Sequence, residues 1–275
     1  MKDWLKIQRG DAPVVVSLPH TGTRIPAEIE AQLVSPWLAR KDTDWWVDEL
    51  YDFAPSLGIT TVRTLLSRTV IDVNRDPEGK SLYPGMSTTD LCPIATFDRE
   101  ALYLKGKGPD AYDISQRLEN YFVPYHAALL GELERLGAMH PRVVLYDAHS
   151  IRSRVPNLFD GELPQFNIGT NGGESCSSDL QEAVQAMCAL SGFSVVTDGR
   201  FKGGWITRYY GEPARGVHAI QMELACRGYL REPEGAVTEE NWPAPYDPTH
   251  AAPLRSALKS VLEACIVFGQ AEGVE

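Results

Sequence analysis

The chain has 275 residues, with 26 Lys plus Arg against 37 Asp plus Glu, a formal net charge of −11. Hydrophobic residues make up 43% and charged residues 23%, an ordinary globular composition that excludes disordered, collagenous and coiled-coil chains. The acidic balance argues against nucleic acid and against an anionic membrane surface, because both require clustered Lys and Arg.

Taken in chain order, the N-terminal MKDWLKIQRGDAP has no apolar stretch of a signal peptide. No run of ~18 apolar residues offers a membrane span. Cys92, Cys176, Cys188, Cys226 and Cys265 are odd in number, widely spaced and without a CxxC pair, which reads as free thiols in a reduced, cytoplasmic chain. VVVSL at 14–18 predicts a buried strand that runs into Pro19 and His20. WWVDELYDFAPSLG at 45–58 has helical periodicity and closes on Gly58. ITTVRTLL at 59–66 and TVIDV at 69–73 predict strands. The polar stretch 74–93 is a long loop, and loops of that length usually serve function.

Residues 111–136 read as one long amphipathic helix, kinked at Pro124. RVVLYDAHS at 142–150 predicts a strand, DLQEAVQAMCALSG at 179–192 a helix ended by Gly192, and FSVVTDG a strand. A glycine-rich loop follows at 201–211, then strand 217–224 and a terminal helix at 252–269. Strands alternating with helices predict a single α/β domain spanning 1–275. Its central sheet should be mixed but largely parallel, with helices on both faces. Ligands in such folds bind beyond the carboxyl ends of the strands.

Those ends carry chemistry. Strand 14–18 leads to His20, strand 142–146 to Asp147 and His149, strand 69–73 to Asn74 and Arg75, and strand 217–222 to Glu223. A lone strand-end histidine is ordinarily packing. Two of them with one carboxylate make the ligand set of a catalytic zinc with an open fourth position. Asp42, Asp44 and Asp48 compete for the carboxylate role. Asp147, two residues before His149 and on the same strand face, suits orienting that imidazole. Arg68, Asn74 and Arg75 crowd one strand; guanidinium groups bind carboxylates through paired hydrogen bonds. Glu223 sits in the apolar AIQMELACRG, where burial raises a carboxyl pKa toward that of a general base; the bland alternative is pairing with Arg227. The 201–211 loop could act as a flap bringing Arg208 or Tyr209 onto a ligand, and the loop around Thr170 makes a second polar wall. No phosphate-binding glycine motif is present, and the remaining histidines read as structural.

The combination SLPHTG, KDTDWWVDELY, SRTVIDVNRDP, YDAHS, FKGGWITRYYG and AIQMEL, within a match from about residue 10 to 232, resembles the N-formylglutamate deformylase (N-formylglutamate amidohydrolase) family, enzymes of histidine breakdown. That family is similar in fold to zinc carboxypeptidases and aspartoacylases, so the resemblance implies a zinc-carboxypeptidase-like (phosphorylase/hydrolase-like) metallohydrolase. It implies hydrolysis of N-formyl-L-glutamate, with Zn2+ or another divalent metal such as Co2+, Fe2+ or Mn2+ on His20, Asp44 and His149. By the same resemblance Glu223 is the general base, Arg68 polarises the scissile carbonyl, and Asn74 with Arg75 reads the α-carboxylate. Arg208, from its loop position alone, is expected to take the side-chain carboxylate, with Thr170 and Tyr209 nearby. The expected partner is this small substrate, and the expected state a monomer or weak homo-oligomer. Rival readings are a deacylase of another N-acyl amino acid, a small carboxypeptidase, or a catalytically dead ligand-binding homologue.

Overall fold

Alternation of side chains along the strands sorts the chain into two cores. In β2 (Val14–Leu18), Val14, Val16 and Leu18 face one side and Val15 the other. In β4 (Val143–Ile151), Val144, Tyr146 and Ala148 join the first side, and Val143 and Leu145 the second. β7 (Val217–Ala225) divides likewise, with Ile220, Met222 and Leu224 opposite Ala219. Such two-sided apolar strands can only be central, with helices over both faces. The computed structural model describes residues 2–82, 85 and 88–271.

The seven-stranded sheet runs β1-β3-β2-β4-β7-β5-β6. Its remaining strands are β1 (Leu5–Gln8), β3 (Thr60–Thr64), β5 (Phe166–Gly169) and β6 (Val195–Thr197). β3, β2, β4 and β7 are mutually parallel, β5 and β6 are parallel to each other, and β1 and β5 pair antiparallel with β3 and β7. This is the mixed, largely parallel α/β sheet expected from the sequence. Two helical turns, α1 (Ala27–Glu30) and α2 (Val47–Leu50), precede α3 (Ala111–Arg117), α4 (Val123–Gly137), α5 (Ser178–Leu190), α6 (Trp205–Tyr210) and α7 (Pro248–Gln270). α5 and α7 cover the first core, and α4 and α6 the second. No helix among the described residues is long and apolar enough to cross a membrane.

Several elements differ from expectation for local reasons. The segment 69–73 is no strand. Val70 N donates to Ser67 O at 2.9 Å, turning the chain, and Asp72 N donates to Leu91 O at 2.7 Å. Its apolar residues Val70, Ile71 and Val73 are buried against α4 rather than paired in the sheet. The expected helix 45–58 survives only as α2 and a 3-10 turn at Ala54–Leu57, since Trp46 is left-handed at φ 61° and Pro55 opens that turn. Gly58, at φ 73°, does close it. The long helix at 111–137 carries a π turn at Leu118–Phe122. Pro124 has no N–H for the Asn120 carbonyl, and Lys2 Nζ donates to that oxygen at 2.9 Å. The glycine-rich 201–211 stretch folds partly as α6. Of the expected loop at 74–93, residues 83, 84, 86 and 87 lie outside the described residues; the remainder forms neither helix nor strand. All five cysteines are free and buried.

After β2 the chain is pinned beside the end of β3. Arg24 N donates to Leu65 O at 2.8 Å and Ser67 N to Arg24 O at 2.9 Å. Gly22 sits where any Cβ would run into the Leu65–Leu66 backbone. Gly22→Ala therefore must push two backbones apart, an overpacking cost of about 1–3 kcal/mol. The expected readout is a lower urea midpoint with an unchanged slope; wild-type stability would show that this contact yields freely.

Candidate active site

The polar side chains of the site lie on the α4/α6 face of the sheet, at the strands' carboxyl ends. Continuing the alternation of Val15, Val143, Leu145 and Ala219, that face carries Ser17, then Asp147 and His149, then Gln221 and Glu223, all buried. His20 follows two residues after β2. The chain leaves β2 for β3 on one side and returns through β4 on the other, so His20 and His149 flank a topological switch point.

Both imidazoles are oriented the same way. His20 Nε2 donates to Asp72 Oδ1 at 2.6 Å, and His149 Nε2 donates to Asp147 Oδ2 at 2.9 Å. Each bond engages Nε2 and turns Nδ1 toward Asp44 as the ring atom available to a metal. His149 Nδ1 lies 3.0 Å from Asp44 Oδ2, and His20 Nδ1 lies 3.8 Å from the same oxygen. One potential ligand atom from each of these three residues falls within 4.8 Å of the other two, and all three residues are buried. His20 Nδ1 has no hydrogen-bond partner. A buried orphan imidazole nitrogen beside a second imidazole nitrogen and a carboxylate calls for a cation, and two His plus one carboxylate suit a divalent transition metal. The residues present fit such an ion.

Of the three competing aspartates, the structure brings Asp44 to the histidines. Its backbone N donates to His20 O at 3.0 Å, and its Oδ2 accepts from Ser150 N at 3.2 Å. Asp42 instead accepts from Phe97 N at 2.7 Å, and Asp48 pairs with Arg63 at 2.5 Å.

The electrostatics follow from burial. Desolvation favours a neutral His20 and holds its pKa below the usual histidine value, with Arg68 adding to the effect. Burial also works against charge on His149, but Asp147 and Asp44 outweigh it and raise that imidazole well above the usual value. Desolvation likewise opposes ionisation of Asp72, yet His20, Arg75 and Arg68 keep it well below the usual carboxylate range. Glu223, opposite His149 in the β4–β7 register, has desolvation as its dominant influence and is pushed up to about 8. Gln221 Nε2 donates to its Oε2 at 3.3 Å. Arg227, the alternative partner for Glu223, turns instead to Ser153 and Glu162.

Arg68 lines the cavity with Nη2 donating to Asp72 Oδ2 at 2.6 Å and its guanidinium 5.0 Å from the Phe97 ring centroid. Arg75 also lines it, braced by donation to Thr89 Oγ1 at 2.9 Å and Thr89 O at 3.2 Å. Asn74 lines it too, but both ends of its amide are engaged within the protein. Nδ2 donates to Asp147 Oδ2 at 3.0 Å, and Oδ1 accepts from Ile206 N at 2.8 Å. Because 69–73 is not a strand, the expected same-face relation of Arg68 and Asn74 does not arise; the turn itself brings Arg68 and Arg75 onto Asp72.

Three expected residues lie off the cavity. Arg208 Nε donates to Gly203 O at 3.0 Å, Tyr209 is 60% exposed and stacks on Trp205, and Thr170, just after β5, donates to Asp198, just after β6. The helical turn of α6 carries Arg208 and Tyr209 away from the strand ends. In their place the lining includes Arg200 and Gln221, neither singled out by the sequence. Asp72 was equally inconspicuous, although a lone carboxylate inside the apolar VID-V run was a usable signal of a buried partner.

A family model described as N-formylglutamate amidohydrolase matches residues 12–230. The chain belongs to this family. It is 42% identical over 271 residues to the N-formylglutamate deformylase of Pseudomonas aeruginosa, covering 98% of both chains. It is also 42% identical over 266 residues to that of Pseudomonas putida, covering 96% of both. The crystal structure of N-formylglutamate amidohydrolase from Ralstonia eutropha shares the fold, with a TM-score of 0.77 at 22% identity over 95% of this chain and 96% of that one. The site described above lies within the span that the family model matches.

Asp72→Asn removes the acceptor charge that orients His20 while keeping the side chain's shape. The expected result is roughly 10- to 100-fold weaker affinity for a divalent transition metal, measured by competition with a chromogenic chelator. Unchanged affinity would show that Asp72 does not set the His20 ligand atom.

Proposed function

We propose that this protein hydrolyses N-formyl-L-glutamate to L-glutamate and formate, using Zn2+ or a related divalent metal held by His20, Asp44 and His149. The observation that carries the reading is the 42% identity along 98% of an N-formylglutamate deformylase, joined to a buried His-Asp-His cluster beside a carboxyl poised near neutrality. We further place the reaction in histidine degradation, as the sequence resemblance implies, and in the cytoplasm, as the free cysteines suggest.

A divalent ion held by His20, Asp44 and His149 would supply Lewis acidity toward the formyl oxygen and lower the pKa of water toward neutrality. The chain's own groups do the rest. Glu223, with a pKa of about 8, is suited to accept the proton of the attacking water. As the water oxygen adds to the formyl carbon and the C–N bond breaks, Glu223 passes that proton to the leaving nitrogen. Gln221 holds the carboxyl in place through its 3.3 Å hydrogen bond. Arg68, fixed by Asp72, offers positive charge to the oxygen on which negative charge develops. Phe97 lies over that guanidinium and keeps water from it, which strengthens the interaction. Arg75 binds the α-carboxylate, and Asn74 acts behind it by holding Asp147 and the start of α6.

Formate release from N-formyl-L-glutamate tests the activity. Turnover is expected to disappear on chelation and return with added Zn2+ or Co2+. Faster hydrolysis of N-acetyl-L-glutamate or N-acetyl-L-aspartate would favour the rival deacylase reading instead.

Glu223→Gln should lower kcat about 10²- to 10⁴-fold, the usual worth of a positioned general base, with metal content unchanged by elemental analysis. A fully active variant would remove Glu223 from the proton transfer.

A further inference from the structure

We propose that Arg200 is the residue that recognises the substrate's side-chain carboxylate and so sets specificity for an acidic N-formyl amino acid; the assignment rests on N-formyl-L-glutamate being the substrate. Among the described residues, three guanidinium groups line the cavity: those of Arg68, Arg75 and Arg200. Arg68 is held under Phe97 by Asp72, beside the reacting centre. Arg75 comes from the same flank, seven residues further along the loop after β3. Arg200 comes from a separate loop, three residues after β6, the edge strand on the far side of the sheet from β3. From two different loops the cavity thus receives Arg75 and Arg200. A substrate with two carboxylates separated by a short aliphatic chain can span them, with its formyl group at the centre.

The wall next to Arg200 supports this orientation. Ile151, Leu158 and Phe201 line the same cavity. They give an apolar surface for side-chain methylenes before the charged terminus. Arg200 Nε donates to Leu158 O at 2.7 Å, and its guanidinium stands 5.2 Å from the Phe201 ring centroid. Those contacts fix the plane of the guanidinium, and a pre-oriented fork matches a carboxylate through two parallel hydrogen bonds. Without the charge, the same wall would accept a neutral side chain of similar length, so Arg200 alone makes the site discriminate.

The test compares kcat/KM on N-formyl-L-glutamate and N-formyl-L-glutamine, which differ only in the side-chain carboxylate. Wild-type protein should prefer the glutamate substrate. Arg200→Met should lower kcat/KM on it roughly 10- to 100-fold, as loss of a charged hydrogen-bond partner does, and leave N-formyl-L-glutamine little changed, so the preference collapses. Arg200→Lys, which keeps the charge without the fork, should fall between. Metal content and thermal midpoint of each variant verify an intact site. A preference that persists in both variants, or an equal loss on both substrates, overturns the assignment of Arg200. Wild-type protein that releases no formate from N-formyl-L-glutamate, while hydrolysing another N-acyl amino acid, overturns the parent reading and this inference with it.

Discussion

Two buried carboxylate–imidazole hydrogen bonds organise the centre of this molecule, Asp72 to His20 and Asp147 to His149. Each engages Nε2 and turns Nδ1 inward, so that both Nδ1 atoms converge on Asp44. The arrangement gathers Asp44, Asp72, Asp147 and Glu223 in one buried region. An unpaired carboxylate there costs several kcal/mol of desolvation. Asp72 is relieved by His20, Arg68 and Arg75. Asp147 is relieved by His149, Asn74 and the Ser17 hydroxyl, which donates to it at 2.8 Å. Asp44 has two imidazoles, a backbone N–H and the Arg68 guanidinium, whose Nη1 stands 3.8 Å from its Oδ1; the orphan Nδ1 of His20 beside it is the atom a metal ion would satisfy. Glu223 is left with an amide donor from Gln221, and its elevated pKa is the consequence.

The sheet makes this possible because one periodicity serves two purposes. Along β4, Val143 and Leu145 pack against α4, and two and four residues after Leu145 the same face presents Asp147 and His149. Along β7, Ala219 gives way to Gln221 and Glu223. The apolar half of each strand buys rigidity for the polar half. Helix α4 takes part in both: its Leu129, Leu133 and Leu136 fill the core, and Tyr125 hydrogen-bonds Ser17, which in turn holds Asp147. Its His126 donates to Val73 O at 2.9 Å and so tethers the turn that carries Asp72 and Asn74. The arginines that line the cavity come from loops, whereas the two histidines lie on or directly after strands. That division suits a site whose chemistry needs fixed geometry and whose specificity can be altered by loop changes.

What the sequence made legible follows the same division. Strands β2, β4 and β7 announced themselves as continuous apolar runs, and their polar ends pointed to His20, Asp147, His149 and Glu223. Asp44 could not be separated from Asp42 and Asp48 by spacing, because the choice is made in space by the His20 carbonyl and the Ser150 amide. The segment 69–73 looked like a strand because its apolar content is real; burial against α4 satisfies the same composition without any sheet pairing. Arg208 was singled out because glycines suggested a mobile flap, whereas local helix formation in α6 turns Arg208 off the cavity, and nothing in the sequence pointed to Arg200. Side-chain periodicity is readable from a sequence, while the path of a loop after its strand ends depends on long-range contacts that a sequence does not display.

The global charge of −11 now has a narrower meaning. It opposes approach of any anion at long range, yet the proposed substrate is a dianion. Across more than a Debye length, about 8–10 Å at physiological salt, that repulsion is largely screened. Inside the cavity the balance reverses, since Arg68, Arg75 and Arg200 all line it and a low dielectric strengthens any contact they would make with an anion. Arg68 is 8% exposed and its charge is already matched by Asp72, so its attraction is short-ranged and directional. Recognition of the proposed dianion would therefore depend on placing its two carboxylates accurately rather than on the field of the whole protein, and accurate placement is what a buried strand-end centre lined by guanidinium groups from two loops favours.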